Sequence, residues 1–544
     1  MARSELFRQL KRALRSPERF GERVDSFLER PIDRRTFLRT TATASTIVAG
    51  ALYANPRRLL AATPDARDAG QVAIVGAGFA GLTAAYELRK LGVQATVFEA
   101  STRTGGRVLT RDAFHQGMFC EMGGELIDRN HRSLLALAAE LGVEIEEFPE
   151  ENSRTADLLY FFDGRVYTDR DLFRAVGPLV ERVRADRMSI FGNLEGEVLD
   201  CRSAAKFPNA LPIDHQSLEQ YLDETPGLES WVKRLVGHAY VTEFGLELGN
   251  QSALNLHLLI DYDLSDGEFA LFGESDESLR VKGGNSRLVE KLTAAVAAGG
   301  TPIEYGHRLL ALEERGTKVS LQFECPNGST REFVADRAIC AIPFSTLRSV
   351  EIRSPMTAPK TAAIRRLAYA THAKAMIGTR DRFWRKRHGS IKVSNGAWLN
   401  DCTTQAFWET SRGQAGSGGI LTSFRGGRAG TGDLPWNSVV EDFLAPYADS
   451  VRARYADTML EAKASVVWAR DPFVQGSYSC PRPGDTTEIL GAAEDPEWGG
   501  KLVFAGEHAS ANFGYMDAAV ESAIKAVNML APSATRFTAG LRGR

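Results

Sequence analysis

The chain has 544 residues, enough for two or three domains with substantial cores, and its 43% hydrophobic and 25% charged residues exclude a disordered protein. A formal net charge of -3 leaves no electrostatic footprint for nucleic acid. The six cysteines (Cys120, Cys201, Cys325, Cys340, Cys402 and Cys480) show neither a CxxC pair nor a Cys/His cluster, which argues against a zinc site and a disulfide framework; no metal is expected.

The first stretch is arginine-rich and reaches Asp33-Arg34-Arg35-Thr36-Phe37-Leu38-Arg39, followed by a moderately apolar run from Thr40 to about Ala54. The order resembles a twin-arginine export signal. The run is shorter than the roughly 20 residues that span a bilayer. A basic surface helix is the alternative, and Glu5 to Leu10 could begin an amphipathic helix lying on a membrane. The resemblance implies the twin-arginine translocase as a partner, export in the folded, cofactor-loaded state, and a periplasmic or extracellular destination. Residues 1–69 are therefore set apart as signal region and linker.

Gln71 to Val75 is a short apolar run with β-branched residues and reads as a buried parallel strand. Gly76-Ala77-Gly78-Phe79-Ala80-Gly81 follows, then a helical stretch from Leu82 to Leu91, a second strand from Val93 to Phe98, and Glu99 at its end. Gly76 permits the tight turn, Gly78 lets backbone approach a pyrophosphate, and Gly81 lets helix and strand pack closely. The helix N-terminus then faces the phosphates, and Glu99, about twenty residues on, can accept hydrogen bonds from a ribose. A tight turn with no ligand would leave the acid unexplained.

Glu99-Ala100-Ser101-Thr102-Arg103-Thr104-Gly105-Gly106-Arg107 resembles the segment that follows the second strand in flavin amine oxidases of the monoamine oxidase and L-amino acid oxidase type. At the far end, Leu502 to His508 and Gly514-Tyr515-Met516-Asp517 resemble the carboxy-terminal signature of that family. Val281 to Gly284, the strand from His307 to Leu312 and the stretch from Ala335 to Leu347 resemble its middle. The likeness runs from Gln71 to about Leu530, specific at both ends and looser between. It implies non-covalent FAD as cofactor, held at Gly76, Gly78, Ala80, Gly81, Glu99, Ala100, Arg103, Gly106, Arg107, Gly123, Gly124, Glu125, Leu309, Gly506, Glu507, Tyr515 and Met516. Non-covalent binding is expected because Ser477 falls where monoamine oxidases carry the cysteine that bonds the flavin.

The same resemblance implies catalytic roles for Lys374, Tyr478 and Tyr515. Lys374, followed by Phe383-Trp384, sits at the offset of the family lysine that holds a water against the flavin and supports reoxidation by molecular oxygen. Tyr478 and Tyr515 match the two walls of an aromatic cage, whose dryness would favour a neutral amine. Many L-amino acid oxidases have an arginine near Leu126 that grips the substrate carboxylate; its absence weakens that reading, and Arg129, Arg132, Arg182 and Arg184 are candidate replacements. Trp408 is either a pocket residue or core. His115, His131, His238, His257 and His372 have no metal spacing and are expected to pack or lie on the surface.

The expected fold is α/β, an FAD-binding Rossmann-type domain with a mixed α+β substrate-binding domain. The FAD domain is assembled from 70–130, 281–346 and 484–531, the substrate domain from 131–280 and 347–483, and 532–544 forms a loose tail. Ser133 to Leu141 and Leu228 to Val236 have helical spacing, and Gly419 to Phe424 is strand-like. The expected reaction is oxidative deamination of a primary amine or L-amino acid with hydrogen peroxide as by-product. An L-amino acid dehydrogenase serving a membrane quinone, a flavin-dependent desaturase or isomerase, and a non-catalytic membrane-surface flavoprotein are the alternatives. Homodimer formation is left open.

Overall fold

The computed structural model describes residues 70–148, 158–192, 197–264, 269–273, 275–391 and 393–531. The arginine pair, its apolar run and the tail after Ala531 lie outside these residues. The central sheet consists of Val72–Val75 (β1), Ala95–Glu99 (β2), Ile303–Tyr305 (β3), Arg337–Cys340 (β4) and Leu502–Phe504 (β5), all parallel, in the order β5-β4-β1-β2-β3. Every residue of β1 and β2 is buried, as central strands covered on both faces should be. Side chains alternate between two cores. Val72 and Ile74 join the helical side, while Ala73 and Val75 join Phe98, Leu312 and Phe323 on the other.

The helical layer contains Phe79–Lys90 (α1), Arg132–Glu140 (α2) and the carboxy-terminal Met516–Leu530, which packs on both. The opposite face is covered by the antiparallel strands Arg308–Arg315, Lys318–Glu324 and Thr330–Ala335. Helix α1 begins directly after Gly78, earlier than the Leu82 expected from periodicity. Gly81 therefore lies inside its first turn. A Cβ there would fall 1.9 Å from the Gly76 carbonyl oxygen, so α1 can lie this close to β1 only without a side chain at that position.

A second sheet has seven strands, in the order Ala462–Val467, Ala373–Thr379, Gly419–Arg425, Ala406–Glu409, Trp398–Asn400, Leu159–Phe162 and Arg165–Tyr167. Against it packs Ser230–Phe244 (α3), longer than the stretch read from the sequence and ended by Gly245 in the left-handed conformation at φ +65°. The carboxyl ends of β1 and β4 diverge at the point where strand order reverses, the usual place for a ligand in an open α/β sheet. The stretch Gly426 to Gly432 contains a single 3-10 turn at Gly427–Thr431.

Candidate active site

A cavity of about 1140 Å³ runs from the carboxyl ends of β1 and β2 to the second sheet. At its nucleotide end, Gly76, Gly78 and Ala80 form the wall with Glu99, Ala100 and Arg103, and Leu309 and Arg308 close the far side. Gly81 is the one expected contact residue that does not reach the cavity; its role is the close packing of α1 on β1. Glu99 accepts hydrogen bonds from the Ala77 N–H at 2.7 Å and the Ser101 N–H at 2.8 Å, leaving carboxylate lone pairs for further donors. Helix α1 has no side-chain cap and no acid in its first turn, so its first N–H groups stay available to an anion. A Cβ on Gly78 would meet nothing within 4 Å, which marks open space against the backbone. These features fit a dinucleotide pyrophosphate and ribose.

Gly106, Arg107, Gly123 and Gly124 line the middle of the cavity together with Gly506, Glu507 and Met516. Arg103 donates to its own loop, to the carbonyls of Thr104 at 3.2 Å and Gly106 at 2.7 Å, and so shapes the turn. Arg107 donates to Glu507 at 2.8 Å and to the Ser477 carbonyl at 2.5 Å. Glu507 also accepts from Ser479 Oγ at 2.7 Å and the Gly514 N–H at 3.0 Å. Burial alone would raise its pKa, but Arg107 and the hydrogen bonds hold it below the usual carboxylate value. One carboxylate thus ties three distant segments together.

Lys374, on the second sheet, is buried and donates to Glu125 Oε2 at 2.8 Å and to the Gly123 carbonyl at 2.8 Å. Burial pushes the Glu125 carboxyl up, yet Lys374, with donors Trp408 at 3.0 Å and Thr410 at 3.0 Å, holds it below its ordinary value. Glu125, expected as a cofactor contact, is also the lysine's counter-ion. Trp408 and Lys374 both line the cavity, with the ammonium 5.4 Å from the indole ring.

Tyr478 and Tyr515 both line the same chamber. Tyr515 precedes the carboxy-terminal helix and meets the His131 ring edge-on at 4.9 Å. The Tyr478 hydroxyl donates to the Glu243 carbonyl, and its ring stacks at 4.6 Å on His372. His372 is sandwiched by Phe424 on its other side, 4.6 Å away and 2° from parallel. Its Nε2 lies 2.8 Å from the Thr242 carbonyl and its Nδ1 2.6 Å from Ser477 Oγ, which assigns the proton to Nε2 and makes Ser477 the donor to Nδ1. Burial depresses His372 to about 3, so it is neutral. His372 is therefore part of the chamber wall.

Of the four arginines considered as carboxylate grips, only Arg132 lines the cavity. Arg129 pairs with Glu147 and Asp276, Arg182 lies 3.8 Å over the Tyr221 ring, and Arg184 is exposed. Sequence reading missed Glu243 and Glu277, both on the chamber wall. Glu243 left a signal: it continues the buried stripe Val232, Leu235, Val236, Ala239, Tyr240, where an acid is out of place. Glu277 left none. Burial, with Asp128 adding, raises Glu243 to about 7; burial, then Glu243 and Asp128, raise Glu277 to about 8. Glu277 is exposed by area, but what it faces is the cavity, and surrounding protein still desolvates it.

An uncapped helix amide end, a strand-end acid and a long cavity at the sheet's switch point define a dinucleotide-binding α/β protein. A family model described as flavin containing amine oxidoreductase matches residues 79–530, and the chain belongs to that family. It is an FAD-dependent oxidoreductase. Among curated proteins it is 26% identical over 475 residues to a putative L-amino-acid oxidase, YobN, of Bacillus subtilis, covering 84% of this chain and 93% of that one. It is 26% identical over 488 residues to the flavin-dependent L-tryptophan oxidase RebO of Lentzea aerocolonigenes, covering 85% and 98%. Among solved structures, the cyclohexylamine oxidase of Brevibacterium oxydans matches with TM-score 0.70 at 20% identity, covering 86% of this chain and 100% of that one. A putrescine oxidase bound to putrescine matches with TM-score 0.68 at 18% identity, covering 84% and 98%. These two likenesses speak to the fold.

Proposed function

We propose that the enzyme deaminates a primary amine or L-amino acid oxidatively, yielding a carbonyl compound, ammonia and, with oxygen as acceptor, hydrogen peroxide. The observation that carries this reading is the opening of buried Lys374 and of two tyrosines, Tyr478 and Tyr515, onto one cavity wall. FAD, when bound, supplies the hydride acceptor. The chain supplies the rest. Tyr478, His372 and Phe424 form an apolar stack that orients the substrate and excludes water. Desolvation there penalises an ammonium, and the neutral amine has the lone pair that assists hydride loss from its carbon. Lys374 gives the cavity a buried cation, able to favour negative charge developing on reduction and on oxygen. His372, already neutral with its Nε2 proton engaged, is a wall and not a proton carrier.

The names of the curated relatives support the amino acid alternative; the missing arginine at Leu126 supports the amine. No cysteine lines the cavity among the described residues, which supports non-covalent FAD. The deciding measurement is peroxide release and flavin bleaching by the purified yellow protein against amines and L-amino acids. Flavin reduction without peroxide would transfer the acceptor role from oxygen to a quinone. Export by the twin-arginine translocase belongs to the same proposal; it predicts that Arg34→Lys with Arg35→Lys retains the enzyme in the cytoplasm, and unchanged export of that variant refutes it.

A further inference from the structure

If the amine-oxidising reading above holds, the acids on the chamber wall bear on which substrates it takes. Most carboxylates on its wall are used up by the fold. Asp128 accepts from Ser275 Oγ at 2.8 Å and the Glu277 N–H at 2.7 Å, Asp517 accepts from the Leu134 N–H at 2.7 Å, and Glu125 and Glu507 hold Lys374 and Arg107. Glu243 and Glu277 differ: among the described residues neither carboxyl group accepts a hydrogen bond or pairs with a cation, and both face the cavity within electrostatic reach of Tyr478 and Tyr515.

The way each is presented argues for use. Glu277 has φ +43°, a left-handed conformation rare for a residue with a side chain, and its N–H is fixed by Asp128. Such strain persists where surrounding structure enforces it, commonly at ligand sites. Glu243 is in the last turn of α3, whose terminal carbonyls at Thr242 and Glu243 already meet His372 and Tyr478. The negative end of the helix therefore adds to the carboxylates. Cations offset them only in part: Arg412, which is not on the cavity wall, acts on Glu277. On the wall, Lys374 and Arg107 are paired with acids, Arg308 with Glu324, and Arg103 is bonded to its own loop, which leaves Arg132.

We propose that Glu243 and Glu277 together receive a second, positively charged group of the substrate, so that the preferred substrates are aliphatic diamines or polyamines. The amine to be oxidised sits by the tyrosines as the neutral form, while the remote ammonium is held between the two carboxylates. That cation offsets the burial that, with Asp128 acting on both and Glu243 on Glu277, otherwise favours their protonated forms. A monoamine leaves them unpaired, and an amino acid would bring a carboxylate up to two acids with no cation partner among the described residues.

The test is anaerobic rapid mixing of the FAD-loaded full chain with 1,5-diaminopentane, pentylamine, L-lysine and L-norleucine, following flavin reduction. The expected result is reduction by 1,5-diaminopentane about 10- to 100-fold more efficient than by pentylamine, the range expected for a charge-assisted contact. The ratio should fall toward one in Glu243→Gln with Glu277→Gln, and be partly retained in Glu277→Asp. Flavin content and circular dichroism of the variants separate this from misfolding. Equal or better reduction by pentylamine overturns the proposal alone, as does a diamine preference that survives the double substitution. A preference for L-norleucine that Arg132→Met abolishes overturns it in favour of an amino acid site. A bound flavin that none of the four compounds reduces ends the oxidase reading itself, and this inference with it.

Discussion

Lys374 Nζ lies 2.8 Å from Glu125 Oε2, with both side chains only 7% exposed. The lysine on the second sheet and the carboxylate beside the Gly123-Gly124 turn thus meet across the junction between the two sheets. Neither charge is stable there alone, because an unpaired ion in such a setting is costly to bury.

Lys374→Met should accordingly have two effects. Reoxidation of reduced flavin by oxygen should slow much more than flavin reduction, and the fold should lose about 3–5 kcal/mol because Glu125 is left uncompensated. Adding Glu125→Gln should restore most of the stability without restoring the oxygen reaction. Stopped-flow oxidation and thermal denaturation of the single and double variants read the two effects separately. Equal slowing of both half-reactions would remove the role given to the lysine.

The two glycines of the first turn should fail differently. At Gly81 a Cβ would meet the Gly76 carbonyl at 1.9 Å, so Gly81→Ala must move α1 away from β1 and should lower melting temperature and flavin content together. At Gly78 a Cβ meets no protein atom within 4 Å and φ is -69°, so Gly78→Ala should keep the fold. Its methyl group enters the space read as the pyrophosphate site, and flavin should be lost from an otherwise native protein. Absorbance and far-ultraviolet circular dichroism decide; a Gly78→Ala protein that retains full flavin contradicts the assignment.

The contribution of Glu243 and Glu277 to stability should fall as pH rises through neutrality. Glu243 and Glu277 titrate near 7 and 8 when folded against an ordinary value of 4.5, so the folded chain binds more protons than the unfolded one between these limits. The slope of unfolding free energy with pH is then negative, and the stability present below about pH 4.5 is lost progressively up to about pH 8. Glu125, Asp128 and Arg412 also act on Glu277, the first two raising and the arginine lowering its affinity for a proton. Glu243→Gln removes one share of the loss. The variant should exceed the parent by on the order of 1–3 kcal/mol at about pH 8.5 and match it at about pH 5. Denaturant unfolding at both values checks the sign.

Tyr478→Phe should leave the chamber wall but free the Glu243 carbonyl that its hydroxyl meets. The loss should be about 1–2 kcal/mol of stability with a small change in kcat/KM. Tyr478→Ala, which also removes the ring stacked on His372, should lower kcat/KM at least tenfold. A larger catalytic loss from Phe than from Ala would show that the hydroxyl, not the ring, does the work.

Local sequence was sufficient wherever one segment supplies the chemistry. The strand, glycine turn, helix and acid from Val72 to Glu99 are contiguous, so spacing alone carried the nucleotide end of the site. Lys374 and the two tyrosines were legible through resemblance, because each sits in a short run with a recognisable neighbour. Helix α3 was shortened in that reading, since its later turns contain Tyr240, Thr242 and Glu243, which blur an apolar stripe although the tertiary core buries Tyr240 fully. Charge environment is a property of space and not of order along the chain. Glu125 reads as a cofactor contact until Lys374, 249 residues away, is folded against it. Arg129, Arg132, Arg182 and Arg184 are equivalent in sequence, and only the fold turns Arg132 toward the cavity and leaves the others in partnerships or at the surface. Glu243 and Glu277 are ordinary acids in the sequence. Their shared burial against Asp128 and the tyrosines, which distant segments must assemble, is what makes them a charge filter.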